Sequence, residues 1–198
     1  GREGGERRSR GVAAPSANVF GRVSATRARH VKEDFPVGVD FVLEGEAGEV
    51  GIESTIVDLS RGRAVVLRPG AITIAMLEAA LGGPVAAADA GAPRASGTLE
   101  RHYAPKTPLS LVASHALDAE IARAGEAVAV LAFSRPDERA ARWLRMPREP
   151  HRYAQRLYEA LRELDAAGCG RILVEEPPHD AAWTAVRDRL NRAAAPQT

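Results

Sequence analysis

The second half of the chain alternates between short apolar runs and longer stretches in which apolar residues recur every three or four positions. Short apolar runs are typical of buried strands, and the longer spacing is typical of helices with one buried face. The predicted strands are residues 109–112, 127–133, 142–146 and 171–175. The predicted helices are residues 118–123, 153–167 and 182–194. Strands that alternate with helices indicate a parallel sheet with crossover helices, so we predict a small Rossmann-like α/β domain here.

In the first half, residues 51–70 have the pattern of a hairpin with polar residues at one end. Two runs of strand-forming residues, 56–59 and 64–67, flank a polar turn that contains glycine. Pairing of these strands would bring Ser54 and Arg68 to the same end of the sheet. A hydroxyl and a guanidinium could share one anionic ligand there, because the Arg fork bonds two oxygens at once. The alternative is a solvated hairpin end at which both residues are incidental.

Two helices and one more strand are predicted around this hairpin. A helix at 27–33 would follow Ser24 or Thr26, either of which could cap its first turn. The free N–H groups of a helix start attract phosphate, and a simple capping role for Ser24 is the alternative. The other elements are a strand at 39–43 and a helix at 74–81, which is capped by Thr73 and closed by 82–84.

Composition divides the chain into four segments. Residues 1–11 hold four Arg and two Glu without periodicity, which is typical of a disordered basic tail. Residues 85–98 are mostly small residues and Pro, which indicates a linker. The pair His102-Tyr103 is unusual in a linker and suggests that it docks on a folded surface. The predicted segments are the tail (1–11), a first domain (12–85), a linker (86–108) and a second domain (109–198).

Charge and cysteine content exclude several classes of protein. The 198 residues include 27 Lys and Arg against 26 Asp and Glu, and this balance argues against a dedicated nucleic-acid binder. The single cysteine excludes an internal disulfide and a Cys-based zinc site, and the His residues have no metal-ligand spacing, so no metal site is predicted. No signal-peptide pattern and no apolar run of about 20 residues occurs, which predicts a cytoplasmic protein without a membrane span.

Five motifs occur together in the order found in one known family. They are Ala-Ala-Pro-Ser-Ala-Asn at 13–18, Gly21 with Ser-Ala-Thr at 24–26, Gly-Ile-Glu-Ser-Thr-Ile-Val-Asp at 51–58, Leu-Arg-Pro-Gly at 67–70, and Ser-Gly-Thr-Leu with His-Tyr-Ala-Pro at 96–105. The first four resemble the second half of a YrdC-like domain. The fifth, and the chain at 171–178 and 185–192, resemble the linker and C-terminal extension of the two-domain threonylcarbamoyl-AMP synthases.

The resemblance implies an incomplete YrdC-like α/β sheet domain joined by a linker to a small Rossmann-like α/β domain. It implies a nucleotidyltransferase that converts L-threonine, bicarbonate and ATP into threonylcarbamoyl-AMP and pyrophosphate. ATP is then a substrate accompanied by Mg²⁺. The product passes to the machinery that makes the modified adenosine t6A in tRNA, without stable nucleic-acid binding by this protein.

The same resemblance assigns site residues, with no catalytic nucleophile among them. The ATP-binding residues are Ser16, Ser24, Arg68 and Tyr103. The threonine-binding residues are Ala14, through its backbone, and Ser54. Asn18 shapes the wall of the site, and His102 joins Tyr103 as a lid over the nucleotide.

The chain departs from the family at Glu100 of the linker, where some members have an aromatic residue, and in the cations of the triphosphate site. The Lys-x-Arg pair with which the family grips the triphosphate does not occur before the Ser-x-Asn motif at 16–18. We therefore expect a C-terminal part of such an enzyme, with little activity of its own. The alternatives are an RNA-binding YrdC-like module, a catalytically inactive fragment, and a carbamoyl transferase of hydrogenase maturation, whose extension and linker look different.

Overall fold

A computed structural model describes residues 16–125 and 127–196 of the chain. The predicted tail at 1–11 and the threonine-site candidate Ala14 lie outside the described residues. Within the described ranges, no helix has both the length and the apolar character needed to cross a membrane.

The first half is built around a three-stranded sheet. Its elements are helices α1 (Ala28–Asp34) and α2 (Ile74–Leu81) and strands β1 (Ile56–Asp58), β2 (Ala64–Arg68) and β3 (Val85–Ala87). The strand order is β1-β2-β3. Strands β1 and β2 are antiparallel with Ile56 opposite Arg68, so the predicted hairpin is confirmed. Strand β3 runs parallel to β2, and α2 connects the two.

The two helices of this half differ in how they are capped. Thr73 Oγ1 accepts a hydrogen bond from the Met76 N–H, and α2 ends at Gly82 in the left-handed conformation, as predicted. The predicted capping of α1 by Ser24 or Thr26 is wrong, because Arg27 occupies the N-cap position without a side-chain bond. The Glu44 carboxylate accepts from the Ala28 N–H instead.

Two further predictions for the first half are corrected. Residues 39–43 form no strand, and Phe41 is 90% exposed. A strand needs a partner for its N–H and C=O groups, and no strand pairs with this segment in the described part of the chain. Strand β3 lies where the linker was expected to begin, and its first residue, Val85, is buried against the sheet.

The second half is a four-stranded parallel sheet covered by helices on both faces. Its strands are β4 (Leu109–Val112), β5 (Val128–Ala132), β6 (Arg142–Arg145) and β7 (Arg171–Glu175). Its helices are α3 (Leu117–Ala124), α4 (Pro150–Asp165) and α5 (Thr184–Ala194). The strand order is β4-β7-β5-β6 and all neighbouring strands are parallel, which confirms the predicted Rossmann-like α/β architecture.

Alternate residues of the central strands pack into two separate cores. Ala129 and Leu131 of β5 pack with α4 and α5, whereas Val128 and Val130 pack with α3 on the other face. Because β5 is buried on both faces, it reads as a continuous apolar run in the sequence. Other side chains of α4 and α5 contact the first half.

The linker docks between the two halves, as the aromatic pair predicted. The Ala104 N–H donates to the Gly21 carbonyl, and the His102 N–H donates to the Arg192 carbonyl of α5. Tyr103 is 1% exposed and belongs to the core that contains α4 and α5.

Candidate functional site

The open end of the hairpin brings Ser54 and Arg68 together, as the strand pattern predicted. Arg68 Nε donates to the Ser54 carbonyl at 3.0 Å, and Arg68 Nη1 donates to the Ser96 carbonyl of the linker at 3.0 Å. Arg68 is 7% exposed, so these backbone oxygens compensate part of the cost of its burial. Arg68 therefore contacts the backbone carbonyl of Ser54 and not its hydroxyl, and the residue Ser54 is exposed.

Tyr103 closes this end of the hairpin from the linker side. It has a positive φ of +58°, a conformation that is strained for an aromatic residue and often marks a functional site. Its ring stacks on that of Tyr158 with centroids 5.6 Å apart. Its hydroxyl is buried and has no hydrogen-bond partner of normal geometry in the described part of the chain. A buried hydroxyl without an acceptor is a place where a ligand oxygen would be stabilised.

His102 lies beside Tyr103, with ring centroids 4.1 Å apart. Its Nδ1 accepts a hydrogen bond from the Tyr103 N–H. Burial lowers the pKa of His102, which keeps the imidazole neutral and leaves Nδ1 able to accept. His102 therefore helps to hold the unusual backbone conformation of Tyr103.

Glu53 is the centre of a hydrogen-bonded cluster that joins the two halves. Its carboxylate accepts from Ser24 Oγ at 2.6 Å, from Tyr158 Oη at 2.6 Å and from Arg189 Nε at 2.9 Å. Burial opposes the ionisation of Glu53, but these hydrogen bonds outweigh it and hold the pKa of Glu53 below its ordinary value. Glu53 is therefore a fixed negative charge next to Ser54.

A cavity of about 720 Å³ opens on the other candidate residues. Ser16 and Ser24 both line it, together with Glu53 and Tyr158. Since the Ser24 hydroxyl donates to Glu53, it offers the cavity only its oxygen lone pairs. Ser54, Arg68 and Tyr103 do not line this cavity. Glu53 lies between the cavity and the hairpin end, because it lines the cavity and directly precedes Ser54.

Asn18 does not line this cavity, and its side chain holds a local turn instead. Its Nδ2 donates to the carbonyls of Val19 and Arg22, each at 3.1 Å. Its Oδ1 is buried without a partner within the described ranges. The amide thus holds the backbone of residues 18–22 in a turn, and the Gly21 carbonyl of this turn accepts a hydrogen bond from the Ala104 N–H of the linker.

Comparison with known families identifies the chain. Residues 72–195 match the family model described as the C-terminal domain of threonylcarbamoyl-AMP synthase. Residues 6–70 match a second model, described as telomere recombination. The chain belongs to the threonylcarbamoyl-AMP synthase family.

Curated threonylcarbamoyl-AMP synthases from three organisms are similar to nearly the whole chain. The protein of Pyrococcus abyssi is 31% identical over 93% of this chain and 58% of its own length. The protein of Schizosaccharomyces pombe is 29% identical over 93% of this chain and 52% of its own length. The protein of Bacillus subtilis is 31% identical over 92% and 57%. The chain therefore spans about half the length of the curated relatives that it matches.

Two solved structures of the P. abyssi protein, Sua5, have the same fold. Its complex with L-threonine matches with a TM-score of 0.79 at 29% identity, covering 91% of this chain and 56% of that one. A variant in which neighbouring His and Tyr residues are both changed to Ala matches with a TM-score of 0.80 at 27% identity, with the same coverage. The α/β fold class inferred from sequence is confirmed.

Three side chains of this threonylcarbamoyl-AMP synthase family member were missed by the sequence analysis. They are Tyr158 and Arg162 of α4 and Arg189 of α5. Arg162 donates to the carbonyls of Val23 and Ser24 and pairs with Asp34 at 2.6 Å, which fixes the first half on α4. A signal for Arg189 exists in the sequence, because it lies one helical turn from the apolar residue Val186 on the buried face of α5. An arginine in that position needs an acidic partner, but the sequence does not say which.

Proposed function

We propose that the chain forms part of the substrate site of a threonylcarbamoyl-AMP synthase, which makes threonylcarbamoyl-AMP and pyrophosphate from L-threonine, bicarbonate and ATP. The observation that carries this proposal is the cluster that Ser54 and Arg68 of the hairpin form with Ser96 and Tyr103 of the linker. It occurs in a chain whose fold matches a relative that was solved with L-threonine. The product would supply the threonylcarbamoyl group of t6A in tRNA through a separate transferase.

The hairpin end would contact both substrates, and the linker would cover the nucleotide. Ser54 would bind threonine, and Arg68 would bind a phosphate of ATP. Arg68 Nη2 has no hydrogen bond within the described ranges, so this nitrogen can reach a ligand while Nε and Nη1 hold the backbone. The Tyr103 hydroxyl, buried without an acceptor, would complete the lid with His102. A neighbouring His-Tyr pair is also the pair that was changed to alanine in the P. abyssi variant of known structure.

The remaining site residues would line the nucleotide side. Ser16 and Ser24 would face the phosphates or ribose from the cavity that they line. Asn18 would shape this side of the site indirectly, through the turn that its amide holds. Ala14 would contact threonine through its backbone. Because the Ser24 hydroxyl already donates to Glu53, its contact with ATP would be as an acceptor, which favours a ribose hydroxyl over a phosphate.

The reaction needs positioning and charge stabilisation more than a nucleophile from the protein. A carbamate oxygen of the carboxylated threonine would attack the α-phosphate in line with the departing pyrophosphate, and Arg68 would stabilise the developing charge. No group of three His, Cys, Asp or Glu side chains in the described residues could hold a metal ion. Mg²⁺ bound to the triphosphate would neutralise part of its charge.

The test of this proposal is substrate binding by the 198-residue chain. Binding is a better readout than turnover, because these 198 residues contain no Lys-x-Arg pair to grip the triphosphate. Isothermal titration with L-threonine should show binding that D-threonine does not match. The variant Ser54→Ala should weaken it about threefold to tenfold, the loss expected for one hydrogen bond.

The matched control is Ser134→Ala, which removes an exposed serine of the second half and should leave the affinity for threonine unchanged. Equal affinity for both threonine enantiomers, or an unchanged affinity of the Ser54 variant, would contradict the proposed site. Tight binding of an RNA hairpin without binding of threonine or ATP would favour the RNA-binding alternative.

A further inference from the structure

We infer that Arg189 is a positioning residue that sets the distance between Ser54 and Arg68, so that the C-terminal domain takes part in substrate binding. The inference rests on the proposed function of those two residues. Arg189 belongs to α5, which follows the linker in the sequence. Its hydrogen-bond partners in the described structure are Glu53, Pro69 and Asp188, so its side chain is not bonded to Ser54 or Arg68. Arg189 acts through the backbone carbonyls of the residues next to Ser54 and Arg68.

The positions of its hydrogen bonds carry the inference. Arg189 Nη2 donates to the Glu53 carbonyl at 3.2 Å, and Arg189 Nη1 donates to the Pro69 carbonyl at 2.9 Å. Glu53 directly precedes Ser54, and Pro69 directly follows Arg68. One planar guanidinium therefore bonds the backbone on both sides of the hairpin end. The fixed spacing of its nitrogens determines how far apart the two chains lie.

The surroundings of Arg189 make this arrangement rigid. Its side chain is fully buried, and its charge is balanced by Glu53 at 2.9 Å and by Asp188 at 2.7 Å. A buried charge with several fixed partners cannot move without losing them, because no water replaces the lost bonds. Each of the three guanidinium nitrogens has at least one partner.

The same guanidinium also supports the linker. Its central carbon lies 5.2 Å from the centre of the Tyr103 ring, within the range of a cation–π contact. Tyr103 stacks on Tyr158, whose hydroxyl donates to Glu53. Arg189 is thus in contact with the hairpin and with the proposed lid at once.

The experiment compares Arg189→Met and Arg189→Lys with the matched control Arg187→Met. Arg187 lies in the same helix, is half-buried and makes one long hydrogen bond, of 3.5 Å, to the His179 carbonyl. Affinities for L-threonine and for ATP are measured by isothermal titration at a temperature at which circular dichroism shows each variant fully folded.

We expect Arg189→Met to weaken the binding of both L-threonine and ATP at least tenfold, and Arg187→Met to change either affinity less than twofold. Arg189→Lys should not restore binding, since an ammonium cannot reach both carbonyls and the carboxylate in the directions of the fork. If Arg189→Met does not fold, Arg189→Lys decides by itself. Wild-type affinity in a folded Arg189→Met or Arg189→Lys variant would overturn the inference.

A second measurement separates this inference from the proposed function. Hydrogen–deuterium exchange of the ligand-free protein reports the order of residues 54–58 and 66–70 whether or not any substrate binds. If the wild-type chain binds neither substrate, the proposed function fails. In that case, faster exchange of both segments in Arg189→Lys than in Arg187→Met still supports positioning by Arg189, and equal exchange overturns it.

Discussion

At Gly97 the linker backbone lies directly against Arg68 of the hairpin and the Tyr103 hydroxyl. The φ of Gly97 is +72°, and a Cβ at this position would overlap the Tyr103 hydroxyl and lie 2.9 Å from Arg68 Nη1. The absence of a side chain is what allows the linker to cover the guanidinium. The sequence motif at 96–99 pointed to this segment, but only the structure shows which atom Gly97 makes room for.

We predict that Gly97→Ala destabilises the protein more than Gly62→Ala does. Gly62 has a nearly identical φ of +71° with open space around its Cα, so both variants share the strain of a left-handed alanine, about 1–2 kcal/mol. Only Gly97→Ala adds the overlap with Tyr103, which should cost at least a further ~1 kcal/mol. The measurement is the free energy of unfolding in urea. Equal losses in the two variants would show that the linker moves aside freely.

At the scale of elements, the two halves of the chain differ in how well their own helices cover their sheets. The cores of the parallel sheet draw almost wholly on residues after 108, and Val23 and Tyr103 are the buried exceptions. The three-stranded sheet has much less cover. Helix α2 has no buried residue, and Phe20, Val37, Phe41 and Leu43 are each more than 80% exposed.

We predict that residues 109–196 fold as an independent unit. All four parallel strands and the helices on both faces lie within this segment, so its cores form without the first half. The isolated segment should unfold in urea in one cooperative transition, with coincident fluorescence and circular dichroism signals. A protease-sensitive product without a cooperative transition would contradict this prediction, as would a requirement for residues 16–108 in trans.

At the scale of the whole molecule, ion pairs and hydrogen bonds to charged groups join the two halves. Glu53 pairs with Arg189, Asp34 pairs with Arg162, and Arg27 pairs with Glu159 of α4 at 2.7 Å. The first two pairs are largely buried, whereas the third is exposed and therefore contributes little. The docking of the halves thus depends on the ionisation of a few carboxylates.

We predict that acid weakens this docking through Glu53. Its pKa in the folded protein lies below the ordinary value of 4.5, so the stabilisation from Glu53 is fully present above that pH and is lost as pH falls through the lower, folded value. The difference in unfolding free energy between the wild type and Glu53→Gln should be largest near pH 7 and shrink below pH 4.5. A pH-independent difference from pH 7 to pH 3 would mean that Glu53 titrates normally.

The sequence by itself determined the elements whose signals are local. The helical spacing in α4 and α5, the caps of α2 and the apolar runs of β4, β5 and β7 depend on neighbouring residues, and each prediction was confirmed. The hairpin was also predictable, because a short turn sets the pairing next to it, Asp58 with Val65 and Val57 with Val66. The register irregularity between Ile56 and Val57, which puts Ile56 opposite Arg68, was visible only in the structure.

Only the tertiary structure decided which distant groups meet. Residues 39–43 alternate like a strand but have no partner in the described structure, and β3 pairs although its composition is that of a linker. The bonds of Glu53 to Tyr158 and Arg189 span more than a hundred residues. Such contacts form because buried charges must find partners, and the pairing depends on how the two halves pack rather than on any local pattern.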